Sequence, residues 1–124
     1  MIPIKPNPKD WKKPLYVASF KEIIYDDERN EIRTYNEPIK YEYNYQPVSS
    51  YLDIQEFGKD ATNIQKMVIP ITDKDLFKEY DLAYLNGATP DGEESNGDNA
   101  NYILLPPKEG NAVVIIYCQK IKGK

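Results

Sequence analysis

The sequence predicts a mainly β protein, a small antiparallel β-barrel or sandwich of six to seven strands with one short helix. Three observations carry that prediction. In IKYEYNYQ, Ile39, Tyr41, Tyr43 and Tyr45 fall on every second residue with Lys40, Glu42, Asn44 and Gln46 between them. That is the period of a half-buried strand. Other short runs rich in β-branched and aromatic residues are separated by turn formers at regular spacing, as in antiparallel barrels and sandwiches. Helical spacing with both end signals occurs at SSYLDIQEFG.

Taken in order, residues 1–14 form a proline-rich basic arm, with Pro3, Pro6, Pro8 and Pro14 and four lysines against one aspartate. Proline fixes φ and removes backbone donors, so the arm is expected to be extended and outside any sheet interior. Trp11, the single tryptophan, is expected to anchor the arm to the domain's own core or to a neighbouring subunit. Residues 15–124 form one β-barrel domain. Leu15–Tyr25 reads as a strand, DDERNE as a polar turn and IRTY as its return, giving a hairpin. The tyrosine strand follows, bounded by Pro38 and Pro47. With the charged and amide side chains of that strand suited to water, its tyrosines face the core, their hydroxyls at the core's edge or a subunit boundary.

Ser50 can cap a helix whose Asp53 lies three residues on, with Tyr51, Ile54 and Phe57 on one face and Gly58 as the stop. IQKMVIPI is the next strand. Thr72 and Asp75 repeat the cap spacing and predict a single helical turn, before LAYL ends at the Asn86-Gly87 turn. Residues 86–101, NGATPDGEESNGDNAN, form a long exposed acidic loop, of the kind that is more often functional than not. YILL and NAVVIIYCQKI are the last strands, joined by PPKEGN.

Composition removes several chemistries. The chain has no histidine, which excludes Ser-His-Asp and Cys-His catalysis and most zinc and non-haem iron sites. Asp91, Glu93 and Ser95 start a calcium-loop spacing, but Asn96 stands where glycine is required and Tyr102 where the twelfth-place glutamate belongs. No phosphate-binding glycine loop, CxxC or GxSxG is present, and no carboxylate pair is marked as buried. The expectation is a protein that is not an enzyme and carries no metal or cofactor. Cys118, alone in a strand-like run, reads as a buried inert thiol. The longest apolar run, Ala112–Cys118, is too short to cross a bilayer, and the first residues lack the apolar core of a signal peptide, so no membrane partner is expected. A net charge of −4 disfavours nonspecific nucleic-acid binding, although both ends are basic and suit an acidic partner.

TYNEPIKYEYNYQP, SSYLDIQEFG, KMVIPI, LFKEYDLAYLNGATP and NANYIL occur in an order that resembles the small head-closure (stopper), or head–tail connector, proteins of tailed phages of Gram-positive bacteria. The resemblance spans roughly residues 34–121, and Tyr80 departs from it where a KEGD-type turn would hold glycine. It implies a small β-barrel forming a homo-oligomeric ring beneath the portal and adaptor proteins. Such a ring closes the DNA exit channel after packaging and joins the head to a tail terminator or tail protein. DNA would be approached without sequence-specific binding, and the protein would sit in the virion neck after assembly in the host cytoplasm. Within that picture, Tyr51, Leu52, Ile54, Phe57 and Lys59 are the expected subunit or channel contacts, because the apolar members can pack against copies of themselves. Asp91, Glu93, Glu94 and Asp98 would crowd like charges at a ring axis, so they are expected to face a partner or the tail instead. The alternative is a free-standing β-barrel module that binds a peptide or ligand.

Overall fold

A computed structural model describes residues 12–48, 50–90, 97 and 99–121. Its centre is a closed antiparallel barrel of six strands with one extra strand attached. The strands are β1 (Lys13–Ala18), β4 (Ile39–Pro47), β5 (Ile64–Pro70), β6 (Leu82–Tyr84), β7 (Tyr102–Leu104) and β9 (Val113–Lys120), with the two-residue β8 (Lys108–Glu109) hydrogen-bonded to β9. Round the barrel the order is β5-β4-β1-β6-β7-β9, and β9 closes the ring by pairing with β5. The predicted class is therefore the observed one, and of its two forms the chain adopts the barrel.

The alternation in β4 sets its register. Tyr45 is buried and Tyr41 and Tyr43 half-buried, while Lys40, Glu42 and Gln46 are exposed. The first part of the strand pairs with β1, Leu15 opposite Tyr41. The second part pairs with β5, Tyr45 opposite Met67. Inside lie Leu15, Val17, Tyr45, Met67, Ile69, Leu104, Val114, Ile116 and Cys118, with Phe77 closing the tyrosine end. Phe77 meets Tyr41 and Tyr43 edge-to-face, at 5.0 and 5.7 Å between ring centroids. The tyrosine hydroxyls tie loops to the barrel. Tyr43 donates to Asp73 Oδ2 at 2.8 Å, Tyr45 donates to the Pro14 carbonyl at 3.4 Å, and the Asn86 N–H donates to the Tyr45 hydroxyl at 2.9 Å.

Three expectations change. Leu15–Tyr25 is not one strand: the barrel strand ends at Ala18, and β2 (Phe20–Tyr25) pairs only with β3 (Glu31–Tyr35) in a separate two-stranded sheet. The break has a cause at Ser19 and Phe20. The Asn36 N–H donates to the Ser19 carbonyl at 2.8 Å, and the Phe20 N–H donates to the Asp81 carboxylate at 2.9 Å rather than to a neighbouring strand. Second, Thr72 caps nothing. Residues Ile71–Leu76 form a 3₁₀ helix led by Pro70 with no side-chain cap. Third, the 86–101 segment is not exposed at its far end, where Gly97 and Ala100 are buried. There the Asn101 side chain accepts from the Leu85 N–H and donates to the Leu85 carbonyl, both at 3.0 Å.

Candidate functional site

Helix α1 (Tyr51–Phe57) forms as its end signals predict. Ser50 Oγ accepts from the Asp53 N–H at 3.1 Å, and Gly58 ends the helix at φ 56°. A 3₁₀ segment, Gly58–Asn63, leads on into β5. The side by which α1 holds the barrel joins polar groups to one aromatic ring. Asp53 is buried and accepts from Lys66 Nζ at 3.2 Å and from the Tyr117 hydroxyl. Glu56 pairs with Lys108, whose ammonium lies 5.0 Å from the Tyr117 ring centroid. Phe57 joins this contact edge-to-face with Tyr117 at 4.9 Å. Burial alone would raise the Asp53 pKa, but hydrogen bonds from Tyr117, Ser50 and Lys66, with the Lys66 charge, bring it below the ordinary aspartate value. Desolvation and the same carboxylate push the Tyr117 hydroxyl up.

Because polar groups and Phe57 anchor the helix, its other large apolar residues turn outward. Tyr51 is 73% exposed, Leu52 75% and Ile54 46%. Exposure on this scale, grouped on one short helix, marks an interaction surface more often than chance. Of the residues expected as subunit contacts, Tyr51, Leu52, Ile54 and Lys59 are therefore on the surface. Phe57 is half-buried against the barrel and acts as part of the helix's own anchor. The expected arm anchor Trp11 and the loop acids Asp91, Glu93, Glu94 and Asp98 lie outside the described residues.

A second feature was not legible in the sequence. At the end of the barrel where β1 leaves and β4 enters, a cleft of about 620 Å³ opens, with Val17, Phe20, Ile39, Tyr41 and Leu76 as its apolar lining. Beside it Asp81 is buried, holding the N–H groups of Phe20 and Lys78 at 2.9 Å each. Burial is the main influence on Asp81 and outweighs those bonds, so its pKa is raised. Tyr41 is raised too, by desolvation and then by the Asp81 charge. The clue to Asp81 in the sequence was its place directly before LAYL, where a side chain can cap turn amides.

The β2–β3 hairpin stands beside this cleft with apolar residues on both faces: Ile23, Ile24, Tyr25 and Ile32 are 41%, 42%, 66% and 42% exposed. It is held at its base by Phe20 against Tyr35 and by Arg33 over the Tyr80 ring, 5.0 Å from the centroid. Tyr80, the departure from the KEGD-type turn, sits at φ 73°, in the region that glycine adopts without cost. Cys118 is fully buried, and desolvation pushes its thiol up to about 12, as expected of an inert cysteine. Among the described residues no cluster of three or more histidine, cysteine or carboxylate side chains could hold a metal, and no helix is long and apolar enough to cross a membrane. Compared with known proteins, the chain matches no family model, no curated protein and no solved structure.

Proposed function

We propose that this chain is a structural protein of a phage neck, which assembles as a ring, closes the DNA exit channel after packaging and joins head to tail. The observation that carries the reading is the orientation of α1. The helix is fastened through Asp53, Glu56 and Phe57 and turns Tyr51, Leu52 and Ile54 to solvent, the arrangement of an element built to meet another subunit. The ordered resemblance over residues 34–121 supplies the identity of the assembly. Net negative charge supports it further, since an acidic ring round packaged DNA repels the duplex instead of trapping it. Portal or adaptor protein on the head side and a tail protein on the other are the partners this reading requires. Negative-stain images of the purified protein, alone and mixed with portal and adaptor rings, test it. Symmetric rings are expected, and a chain that stays monomeric in every mixture overturns the reading.

The cleft favours a second reading. Its volume is within the range of ligand pockets, and mouths of β-barrels are common places for them. A free-standing module of this kind would bind a peptide or small molecule there and would form no ring.

A further inference from the structure

From the knob on α1 and the cleft at the far end of β4, we infer that the two are halves of one heterologous contact. Tyr51 and Leu52 of each copy insert into the cleft lined by Phe20, Ile39 and Leu76 of the next. The inference rests on the ring reading and adds to it the surface that receives the helix.

The first argument is geometric. Asp53 pins α1 to Lys66, which pairs with Gln46 near the end of β4, whereas the cleft begins at Ile39. Seven residues of extended strand separate those levels, about 23 Å. With the helix tied down, its own knob cannot reach its own cleft, so any filling of one by the other happens between copies. A patch meeting a different patch on the next copy propagates head to tail and closes as a ring when the rotation allows.

The second argument is electrostatic. On the helix side, Asp53 is matched by Lys66, Glu56 by Lys108, and Lys59 stands beside Asp60. On the cleft rim, Lys21 and Lys78 offset Asp75 and Glu79. Both surfaces are close to neutral, and an apolar contact between them meets no block of like charge. The buried Asp81 carboxylate adds one negative charge behind the rim, already held by two backbone N–H groups.

Area sets the expected strength. Tyr51, Leu52 and Ile54 together expose on the order of 400 Å², and Phe20, Ile39 and Leu76 about 300 Å². Their sum falls short of the roughly 1,200 Å² at which stable pairs begin. One such contact is therefore weak, and a closed ring, in which every subunit makes two, is what renders it persistent.

The test uses two variants at exposed positions, Leu52→Glu on the knob and Ile39→Lys in the cleft, with circular dichroism and melting curves to confirm that both fold. Sedimentation velocity across a concentration series reads assembly. Each variant alone is expected to raise the concentration needed for assembly at least tenfold. Mixed together they hold one intact knob and one intact cleft. At the highest concentration of the series, where a single weak contact is populated, they are therefore expected to form a 1:1 dimer that grows no further. If the parent assembles while the mixture stays monomeric even at that concentration, or if either variant assembles as the parent does, the inference fails and the ring reading stands. Disruption by Leu52→Glu alone would instead show a knob meeting its own copy. A parent that stays monomeric at every concentration, by itself and with portal and adaptor rings, overturns both.

Discussion

Asp53 and Asp81 are both shielded from water, yet they respond to pH in opposite senses. Asp53 is held below its ordinary value of 3.8. It therefore adds stability above that value, and the contribution is lost as pH falls through its folded pKa. Asp81 is raised above 3.8, so its contribution is complete below that value and is lost as pH climbs through its folded pKa. Urea midpoints measured between pH 2.5 and 6.5 should separate the two. Asp53→Asn is expected to flatten the acid side of the curve, and Asp81→Asn to flatten the decline on the side above 3.8; the reverse pattern would mean the environments are misassigned. Tyr43 gives a second test at this scale. Tyr43→Phe removes only the bond to Asp73 and should cost about 1 kcal/mol. Tyr43→Ala also strips the contacts with Phe77 and Tyr41 and should cost about 2–3 kcal/mol, less than the full aromatic penalty because the ring is half-buried. Equal midpoints for Tyr43→Ala and the parent would disprove the inward register of β4.

At the scale of elements, legibility followed how local the cause was. Alternation in β4 and the Ser50–Gly58 end signals depend on neighbours in sequence, and both elements form where they were expected. The split at Ser19 depends on Asp81, 61 residues from Phe20, and no local pattern announces it. The trace it left was the lost alternation after Ala18, where Phe20, Ile23, Ile24 and Tyr25 no longer share one face. The apolar residues of α1 were expected at a subunit or channel contact, but what turns them outward was not legible: Lys66 and Tyr117, on two other strands, hold Asp53. The hairpin itself turns on Asp26, whose carboxylate accepts the Glu28 and Asn30 N–H groups at 2.9 and 2.8 Å, and on Arg29 at φ 65°. Arg29→Gly removes the left-handed penalty, about 1 kcal/mol. Amides of β2 and β3 should then exchange more slowly; unchanged or faster exchange would show that the turn is not what limits hairpin opening. Gly97→Ala should act in the other direction, since its φ is 91° and a Cβ there would meet Leu82 Cδ1 at 2.9 Å. A loss of about 2 kcal/mol is expected in the thermal or urea midpoint, from backbone strain and crowding together, and a neutral result would mean that the end of the acidic loop is not fixed to the barrel.

For the whole molecule, the neck reading makes a prediction in particles. Removing residues 52–57 outright would take away Asp53 and Phe57, and with them the fastening of the helix, so point changes on its outer side are the cleaner probe. Phage carrying Leu52→Glu and Ile54→Glu should package DNA and then leak it, whereas shortening 91–98 should leave full heads that fail to join tails. The opposite pair of phenotypes would exchange the roles of the two segments. The closure of the barrel carries a consequence of another kind. β9 is the last strand in sequence order among the described residues, and it pairs with three others, β5, β7 and β8. Ile64 waits for Gln119 and Pro70 for Val113, so the seam joins segments made far apart in time on the ribosome. A nascent chain that has emerged only as far as Glu109 can build the β1–β4 ladder but leaves one edge of β5 open. The barrel is therefore closed only after β9 has emerged, on the millisecond-to-second scale of sheets built from distant pairings. On the neck reading proposed above, ring assembly would wait until β9 has shut the barrel, a built-in delay before newly made subunits could meet one another.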